Sequence, residues 1–292
     1  MHLRIGSRTS KLAMLQTHAL IDALAQYDTK VTCEIIPITT SGDVHKDKPL
    51  HEIGGKALFL KELEIALLED RIDVAVHSLK DVPGILPAKF ALIATMERTY
   101  PTDCLCSQYE SIFALPVGAK VGTSSLRRKV QLSYLRPDLT VLPLRGNVDS
   151  RIAKVRQGVL DAAILSHAGI MRMGVEDRVA SIQPGIMVPA VGQGAIAVEA
   201  LSSRQDLRRI FALVNCQTTW EEVSMERTFS SSLQANCTTP IGAYVKKMNE
   251  REFQAYFMLS SPNCEKIFKY KRIINSTQQV KIIAQQMSCM IY

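Results

Sequence analysis

Apolar positions in the first two thirds of the chain follow two alternating patterns. Runs of neighbouring apolar residues, typical of strands buried in a parallel sheet, are separated by segments with apolar residues at helical spacing. The pattern predicts strands at residues 3–6, 32–40, 72–79 and 90–96, and helices at 10–25 and 56–70. The polar stretch 41–55 is long for a connection inside a compact domain, and we expect it to form a mobile lid.

The same scheme repeats farther along the chain, with strands at 120–122, 139–144 and 159–166 and helices at 124–135 and 148–157. Asp73-Val-Ala-Val-His-Ser78 and Asp161-Ala-Ala-Ile-Leu-Ser166 share the form Asp-x-Ala-x-x-Ser, each after a predicted helix. This repeat indicates two similar α/β halves. Alternating strands and helices predict doubly wound sheets, whose ligands bind at the carboxyl ends of the strands.

The character of the chain changes near residue 218. Residues 195–200 are predicted to form a strand that returns to the first half. Beyond them, the pattern predicts helices at 220–234 and 277–288 and strands at 244–245, 253–259 and 267–273. We therefore expect a small third domain of the α+β class, with frayed final residues 289–292.

Composition favours a globular protein with an acidic partner. Apolar residues are 47% and charged residues 22% of the 292, and the formal net charge is +7. A nucleic acid would account for this charge, but the arginines are dispersed, and no helix-turn-helix, zinc-finger or RNA-binding signature is present. A pocket for a polycarboxylate would give the same charge balance.

The seven cysteines are scattered and odd in number, which does not predict a disulfide framework or a metal site. The first residues lead directly into a strand without an apolar signal region, and no apolar window of about 18 residues is present. We expect a cytoplasmic protein with no membrane partner and no metal.

Six arginines follow predicted strands or begin the next helix, where a doubly wound sheet binds its ligand. They are Arg8, Arg127, Arg128, Arg145, Arg151 and Arg172. Each alone could be a solvated surface charge. As a set they suit a ligand with many carboxylates, because a guanidinium binds a carboxylate through two hydrogen bonds and stays charged.

Two strand ends carry further candidate chemistry. Gly122-Thr-Ser-Ser125 offers backbone N–H groups and hydroxyls to an anion, although a plain helix cap would have the same sequence. In His77-Ser-Leu-Lys-Asp-Val-Pro83, Asp81 would be held ionised near arginines and could stabilise a cation or move a proton. The alternatives are a surface Lys80–Asp81 pair and, for His77, a satisfied core histidine.

Cys237 lies in a short predicted loop between a helix and a strand, among small and polar residues. Such a thiol is accessible enough to react, but an inert loop thiol fits the same pattern.

These elements together resemble the porphobilinogen deaminase family. The resemblance covers most of residues 1–245. It is carried by His77-Ser-Leu-Lys-Asp-Val-Pro83, Gly122-Thr-Ser-Ser-Leu-Arg-Arg128, Leu144-Arg-Gly-Asn-Val148 and Val191-Gly-Gln-Gly-Ala195. It implies a transferase of heme biosynthesis that deaminates four porphobilinogen molecules and joins them into hydroxymethylbilane.

The resemblance also implies residue roles. A dipyrromethane primer is expected to be attached through a thioether to Cys237, and Asp81 matches the catalytic carboxylate. The residues expected to bind the cofactor are Ser78, Lys80, Asp81, Thr123, Ser124, Ser125, Arg127, Arg128, Arg145 and Gly146. Those expected to bind substrate are Arg8, Ser10, Phe59, Arg145, Arg151, Arg172 and Gln193.

The implied architecture has three domains, of which the first two are built like periplasmic binding proteins. Their predicted bounds are 1–98 with 194–216, 99–193, and 217–292. The lid falls in the first domain, the arginine-rich site in the second and Cys237 in the third. A monomer is expected, with porphobilinogen as its small-molecule partner and no nucleic acid.

The chain departs from the family pattern at two places. Ala235-Asn236 precede Cys237 where two glycines are common, which puts primer attachment in doubt, and His51-Glu52 replace a commonly basic part of the lid. The main alternative is therefore an anion-binding, non-catalytic relative of the same fold.

Overall fold

The computed structural model describes residues 1–27, 30–44, 60–175, 178–235, 239–261 and 263–291. The chain divides into two compact units, Met1–Thr99 with Ala195–Glu221, and Tyr100–Gly194 with Glu222–Tyr292. The strands are β1 (His2–Arg8), β2 (Thr32–Ile38), β3 (Val74–Ser78), β4 (Phe90–Thr95), β5 (Asp103–Ser107), β6 (Lys120–Gly122), β7 (Thr140–Leu142), β8 (Ala162–Ser166), β9 (Val179–Ile182), β10 (Ile196–Leu201), β11 (Ile241–Lys247), β12 (Phe253–Ser260) and β13 (Ile267–Ile274).

The helices are α1 (Lys11–Tyr27), α2 (Ser41–Val44), α3 (Lys61–Leu68), α4 (Leu126–Leu135), α5 (Val148–Arg156), α6 (His167–Arg172), α7 (Gln205–Phe211), α8 (Gln217–Ser232) and α9 (Thr277–Ile291), with a 3₁₀ turn at Leu79–Asp81. Of the predicted lid, residues 41–44 form α2, and 45–55 lie outside the described residues. No helix in the described part of the chain is long and apolar enough to span a membrane.

The first unit is built on a five-stranded sheet of order β2-β1-β3-β10-β4. β1 pairs in parallel with β2 and β3, whereas β10 is antiparallel to β3 and β4. Leucines of α1 and α7 pack with Leu3 and Ile5 on one face, and α3 packs on the other. Gly6 allows close packing on this face, because a Cβ there would lie 2.3 Å from Ile72 Cδ1 and 3.1 Å from Leu63 Cδ2 of α3.

The second unit contains an equivalent sheet of order β7-β6-β8-β5-β9, again with one antiparallel strand next to the central parallel strand. The repeated hexapeptides occupy the same place in the two sheets. Asp73 Oδ2 accepts a hydrogen bond from the Arg4 backbone N–H at 2.8 Å, and Asp161 Oδ2 accepts one from Lys120 at 2.7 Å. Each aspartate thus ties the start of its strand to the neighbouring parallel strand.

A three-stranded antiparallel sheet, β11-β12-β13, forms the C-terminal part of the second unit. α8 and α9 pack on one face, where the rings of Phe229 and Phe257 stack with centroids 4.4 Å apart. The expectation that 289–291 are frayed is wrong, because α9 continues to Ile291 and buries that side chain in the core. The predicted fold class, two doubly wound α/β sheets and a small α+β domain, is confirmed.

Candidate active site

The carboxyl ends of β1 and β3 bring four predicted site residues to one edge of the first sheet. Arg8 is the last residue of β1, and the Ser10 hydroxyl accepts a hydrogen bond from the Ala13 N–H in the first turn of α1. Lys80 and Asp81 lie in the 3₁₀ turn after β3. Because β1 and β3 are parallel neighbours, their carboxyl ends meet at this edge, as the sequence predicted.

The turn that carries Asp81 is fixed although Asp81 itself is exposed. The Leu79 N–H donates to the Ala195 carbonyl at 3.0 Å, and the Leu79 side chain is buried. The Ser78 hydroxyl pairs with the buried Gln16 amide of α1 through contacts of 2.8 and 3.0 Å. The structure therefore places Ser78 against α1.

His77 is a buried core residue whose ring faces a carboxylate. Its Nε2 lies 2.8 Å from Glu199 Oε2 on β10, and the two side chains are 3% and 0% exposed. Burial raises the pKa of Glu64 on α3, Glu199 raises it further, and His77 lowers it. The sequence pattern gave no sign of Glu199, because it lies within an apolar strand far from His77 in the chain.

In the second unit, the ends of β6 and β7 are bound to each other by hydroxyls of the predicted anion loop. Ser124 Oγ donates to the Leu144 carbonyl and accepts from the Leu144 N–H, both at 2.9 Å. Ser125 caps α4, and Thr123 Oγ1 accepts from the Ser125 N–H at 3.2 Å. These hydroxyls fix the loop that leads from β6 into the start of α4.

Gly146 follows Arg145 in a conformation that requires glycine. Its φ is +104°, and a Cβ would lie 2.3 Å from Ser150 Oγ. The carbonyl oxygen of Gly146 also accepts a hydrogen bond, from Arg151 Nε at 2.8 Å. Arg151 is thus held against the residue that follows Arg145 in the chain.

Arg127 and Arg128 both bind Asp103, a fully buried carboxylate on β5. Arg127 donates to its two oxygens at 2.6 and 3.1 Å, and Arg128 Nε donates at 2.9 Å. Burial alone would raise the pKa of Asp103, but the two guanidinium charges and their hydrogen bonds hold it well below its ordinary value. Asp103 was not identified from the sequence.

Gln193 extends this network, and Arg172 binds the next residue of the same segment. Gln193 Nε2 donates to the Pro101 carbonyl at 2.9 Å and to Asp103 at 3.1 Å. Arg172 Nη2 donates to the Gly194 carbonyl at 2.6 Å, and burial lowers the pKa of Arg172. Cys237 and Phe59 lie outside the described residues.

Comparison with known proteins covers nearly the whole chain. The family model "Porphobilinogen deaminase, dipyromethane cofactor binding domain" matches residues 3–209, and "Porphobilinogen deaminase, C-terminal domain" matches 220–289. The porphobilinogen deaminase of Rickettsia prowazekii (strain Madrid E) is 45% identical over 276 residues, which are 94% of this chain and 92% of the relative. That of Rickettsia typhi (strain Wilmington) is 44% identical over 290 residues, 98% of this chain and 97% of the relative.

Among solved structures, the chain is similar to the periplasmic VFT2 domain of Bordetella pertussis BvgS. The TM-score is 0.43 and the identity 14%, over 78% of this chain and 93% of that chain. This distant likeness carries no part of the assignment, which rests on the sequence matches. By these matches the chain belongs to the porphobilinogen deaminase family, the family that its sequence motifs predicted.

Proposed function

We propose that Asp81, Cys237 and the arginines of both units carry out the reaction of this family in this chain. That reaction is hydroxymethylbilane synthesis, in which four porphobilinogen molecules lose ammonia and are joined head to tail on a dipyrromethane primer. The predicted transferase activity and cofactor are confirmed at the level of the family. The residue roles below are our proposals.

The observation that carries the assignment of roles is the placement of the chemical groups at strand ends. In the first sheet, the ends of β1 and β3 present Arg8 and Asp81. In the second sheet, the ends of the parallel neighbours β6 and β7 lead to the start of α4 and to Arg145. These are the edges at which doubly wound sheets bind their ligands.

The residues of the second unit fit an anionic cofactor. The buried Nη1 of Arg145 has no hydrogen-bond partner among the described residues, although buried guanidinium nitrogens are normally paired. A carboxylate would satisfy this donor, and the start of α4 adds backbone N–H groups. We propose that Arg145, Thr123, Ser124, Ser125 and Gly146 hold the dipyrromethane carboxylates. When bound through Cys237, the cofactor supplies a fixed primer for chain growth.

Arg127 and Arg128 are proposed to contact the cofactor from a preorganised position. A guanidinium has five N–H donors, and Asp103 and the Val188 carbonyl accept from three of those on Arg127. Asp103 thus fixes the plane of the guanidinium before any ligand arrives. Such preorganisation lowers the cost of binding a carboxylate.

Asp81 is proposed to stabilise the cation that porphobilinogen becomes when ammonia departs. Its carboxylate is exposed on a fixed turn, so it can face a reacting pyrrole without rearrangement of the strand. Fixed charges aimed at a developing charge accelerate reactions by about 10²–10³-fold per group. Lys80 and Ser78 are proposed to assist on the cofactor side, and Arg8, Ser10, Phe59, Arg151, Arg172 and Gln193 on the substrate side.

Intact-protein mass spectrometry of the wild type and of Cys237→Ala tests the proposal. The wild type is expected to exceed its sequence mass by two linked pyrrole units and to gain further steps after porphobilinogen is added. Cys237→Ala is expected to show the bare mass. If the wild type also stays bare after incubation with porphobilinogen or hydroxymethylbilane, the chain is instead the non-catalytic, anion-binding relative.

We further propose a cytoplasmic monomer without nucleic-acid or membrane partners, divided into domains 1–98 with 194–216, 99–193 and 217–292. A monomer is supported because one chain carries every proposed site residue. The cytoplasmic location is supported because the described cysteines are all free thiols, as in a reducing compartment. The three separate sheets support the three-domain division. Sedimentation of the purified protein and limited proteolysis test the oligomeric state and the boundaries.

A further inference from the structure

The end of β3 is bound by polar side chains from both faces of the first sheet. On the face covered by α3, the buried ring of His77 lies 2.8 Å from Glu199 Oε2. On the face covered by α1, Ser78 pairs with the buried amide of Gln16. Asp81 follows in the next turn of the chain.

The His77–Glu199 contact joins β3 to β10 diagonally. In the backbone register, His77 lies opposite Ala197, and Glu199 lies opposite Ala75. The side chains therefore reach across one step of the ladder, as diagonal pairs do. A shift of β3 along β10 would separate the two groups, so the pair specifies one register.

The sheet is also irregular at Glu199. The pairing of β10 with β4 shifts between Val198 and Glu199, so that Ile93 of β4 has no place in the ladder. Bulges of this kind redirect side chains and are enriched near active sites. The irregularity is a second observation, besides the contact with His77, that concerns the orientation of the Glu199 side chain.

Stability does not explain this pair. Both side chains are nearly fully buried, and neither His77 Nε2 nor either Glu199 oxygen makes a hydrogen bond among the described residues, although Nε2 lies 2.8 Å from Oε2. Even a buried pair that is charged can often be replaced by well-packed apolar residues with no loss of stability. An apolar pair would fill the same space between α3 and the sheet.

We infer that Glu199 and His77 are positioning residues, which fix the carboxyl end of β3 and thereby the place of Asp81. Gln16 has the same role from the opposite face through Ser78. The inference rests on the proposed function, because it concerns the residue that we assign to the chemical step. It predicts that the pair affects turnover more than folding or ligand binding.

The test compares steady-state kinetics and thermal unfolding of the loaded enzyme with those of the double variant His77→Leu/Glu199→Leu. The melting temperature is expected to stay at or above that of the wild type. The value of kcat is expected to fall about 10- to 100-fold, since displacement of a reacting group by about 1 Å can cost that much. KM is expected to change by less than about twofold, because binding groups are untouched.

Three further variants make the test specific. Glu199→Gln keeps the size of the side chain and a polar oxygen facing His77, and it is expected to retain most of the wild-type kcat. His2→Leu/Glu34→Leu replaces an exposed pair of the same residue types, at the amino end of β1, and is expected to match the wild type. Gln16→Leu removes the partner of Ser78 and is expected to lower kcat without raising KM, which tests the inference even if the buried double variant does not fold.

Wild-type kcat in a folded double variant would overturn the inference for the face of β3 covered by α3. Wild-type kcat in Gln16→Leu would overturn it for the face covered by α1. Loss of the primer from the double variant, seen in its intact mass, would also overturn it, because the defect would then lie in assembly of the holoenzyme. Failure of the proposed function gives a different result, an inactive wild type.

Discussion

Replacement of Asp103 by asparagine tests whether a buried carboxylate holds the arginine-rich site together. Asp103 is fully buried and accepts hydrogen bonds from Arg127, Arg128 and Gln193. The two arginines are 6% and 7% exposed, so Asp103→Asn would leave two buried positive charges without their counter-ion. Removal of one partner from a buried ion pair costs about 3–5 kcal/mol of unfolding free energy.

Urea unfolding at pH 7 measures this cost. Asp206→Asn is the matched control, because Asp206 also pairs with an arginine, Arg204 at 2.8 Å, but at the surface. Exposed pairs contribute about 0–1 kcal/mol, so this control is expected to unfold almost like the wild type. The midpoint of Asp103→Asn is expected to fall clearly below both.

The pH dependence has a defined sign. The folded-state pKa of Asp103 is depressed, so its stabilisation is complete above the unfolded-state pKa of about 4 and is lost as the pH falls through the folded-state value. The difference between wild type and Asp103→Asn should therefore be constant from about pH 5 to 8 and should shrink below about pH 4. A cost under about 1 kcal/mol at pH 7 would refute the reasoning, and so would a cost that does not change in acid.

Three other substitutions have expected outcomes. Asp81→Asn should lower kcat about 10²–10³-fold in steady-state assays without a change in melting temperature, because the side chain is exposed. Gly146→Ala should lower the free energy of unfolding in urea by about 1–3 kcal/mol and reduce primer retention seen in the intact mass, since φ is +104° and Ser150 occupies the space that the Cβ needs. Gly118→Ala is the control, because Gly118 has φ +76° and no atom within 4 Å of an added Cβ, so it measures the backbone effect alone. Gly6→Ala should cost about 1–3 kcal/mol in the same assay through contacts with Ile72 and with Leu63 of α3, and unchanged stability would contradict this close packing.

The alternating pattern was sufficient to predict the fold class, because most strands and helices can be recognised from the spacing of apolar residues within the segment itself. The returning strand, predicted at 195–200, is observed at Ile196–Leu201 as the fourth strand of the first sheet. The Asp-x-Ala-x-x-Ser repeat located the equivalent strands β3 and β8. β5 was missed, since Asp103-Cys-Leu-Cys-Ser107 has polar ends and is too short to show a period.

The site was predicted only in part, because sequence spacing identifies chemical groups but not their partners. Arg127 and Arg128 were predicted to bind ligand carboxylates, which stays a prediction, and the structure shows in addition a carboxylate of the chain itself between them. The alternative of a satisfied core histidine for His77 fits its position, but its partner Glu199 is on a strand that joins the sheet from a distant part of the chain. Pairings of this kind depend on tertiary structure.

Asp103 and Glu199 occupy equivalent places in the two five-stranded sheets. Each lies on the antiparallel strand of its sheet, β5 or β10, next to the central parallel strand. Each is fully buried and faces basic side chains, the arginines at the start of α4 or the histidine at the end of β3. A buried carboxylate in an apolar strand requires a nearby partner, because an unpaired charge there is too costly. Asp103 is paired with the start of α4 and Glu199 with the end of β3, and these two places carry groups that we assign to cofactor binding and to catalysis.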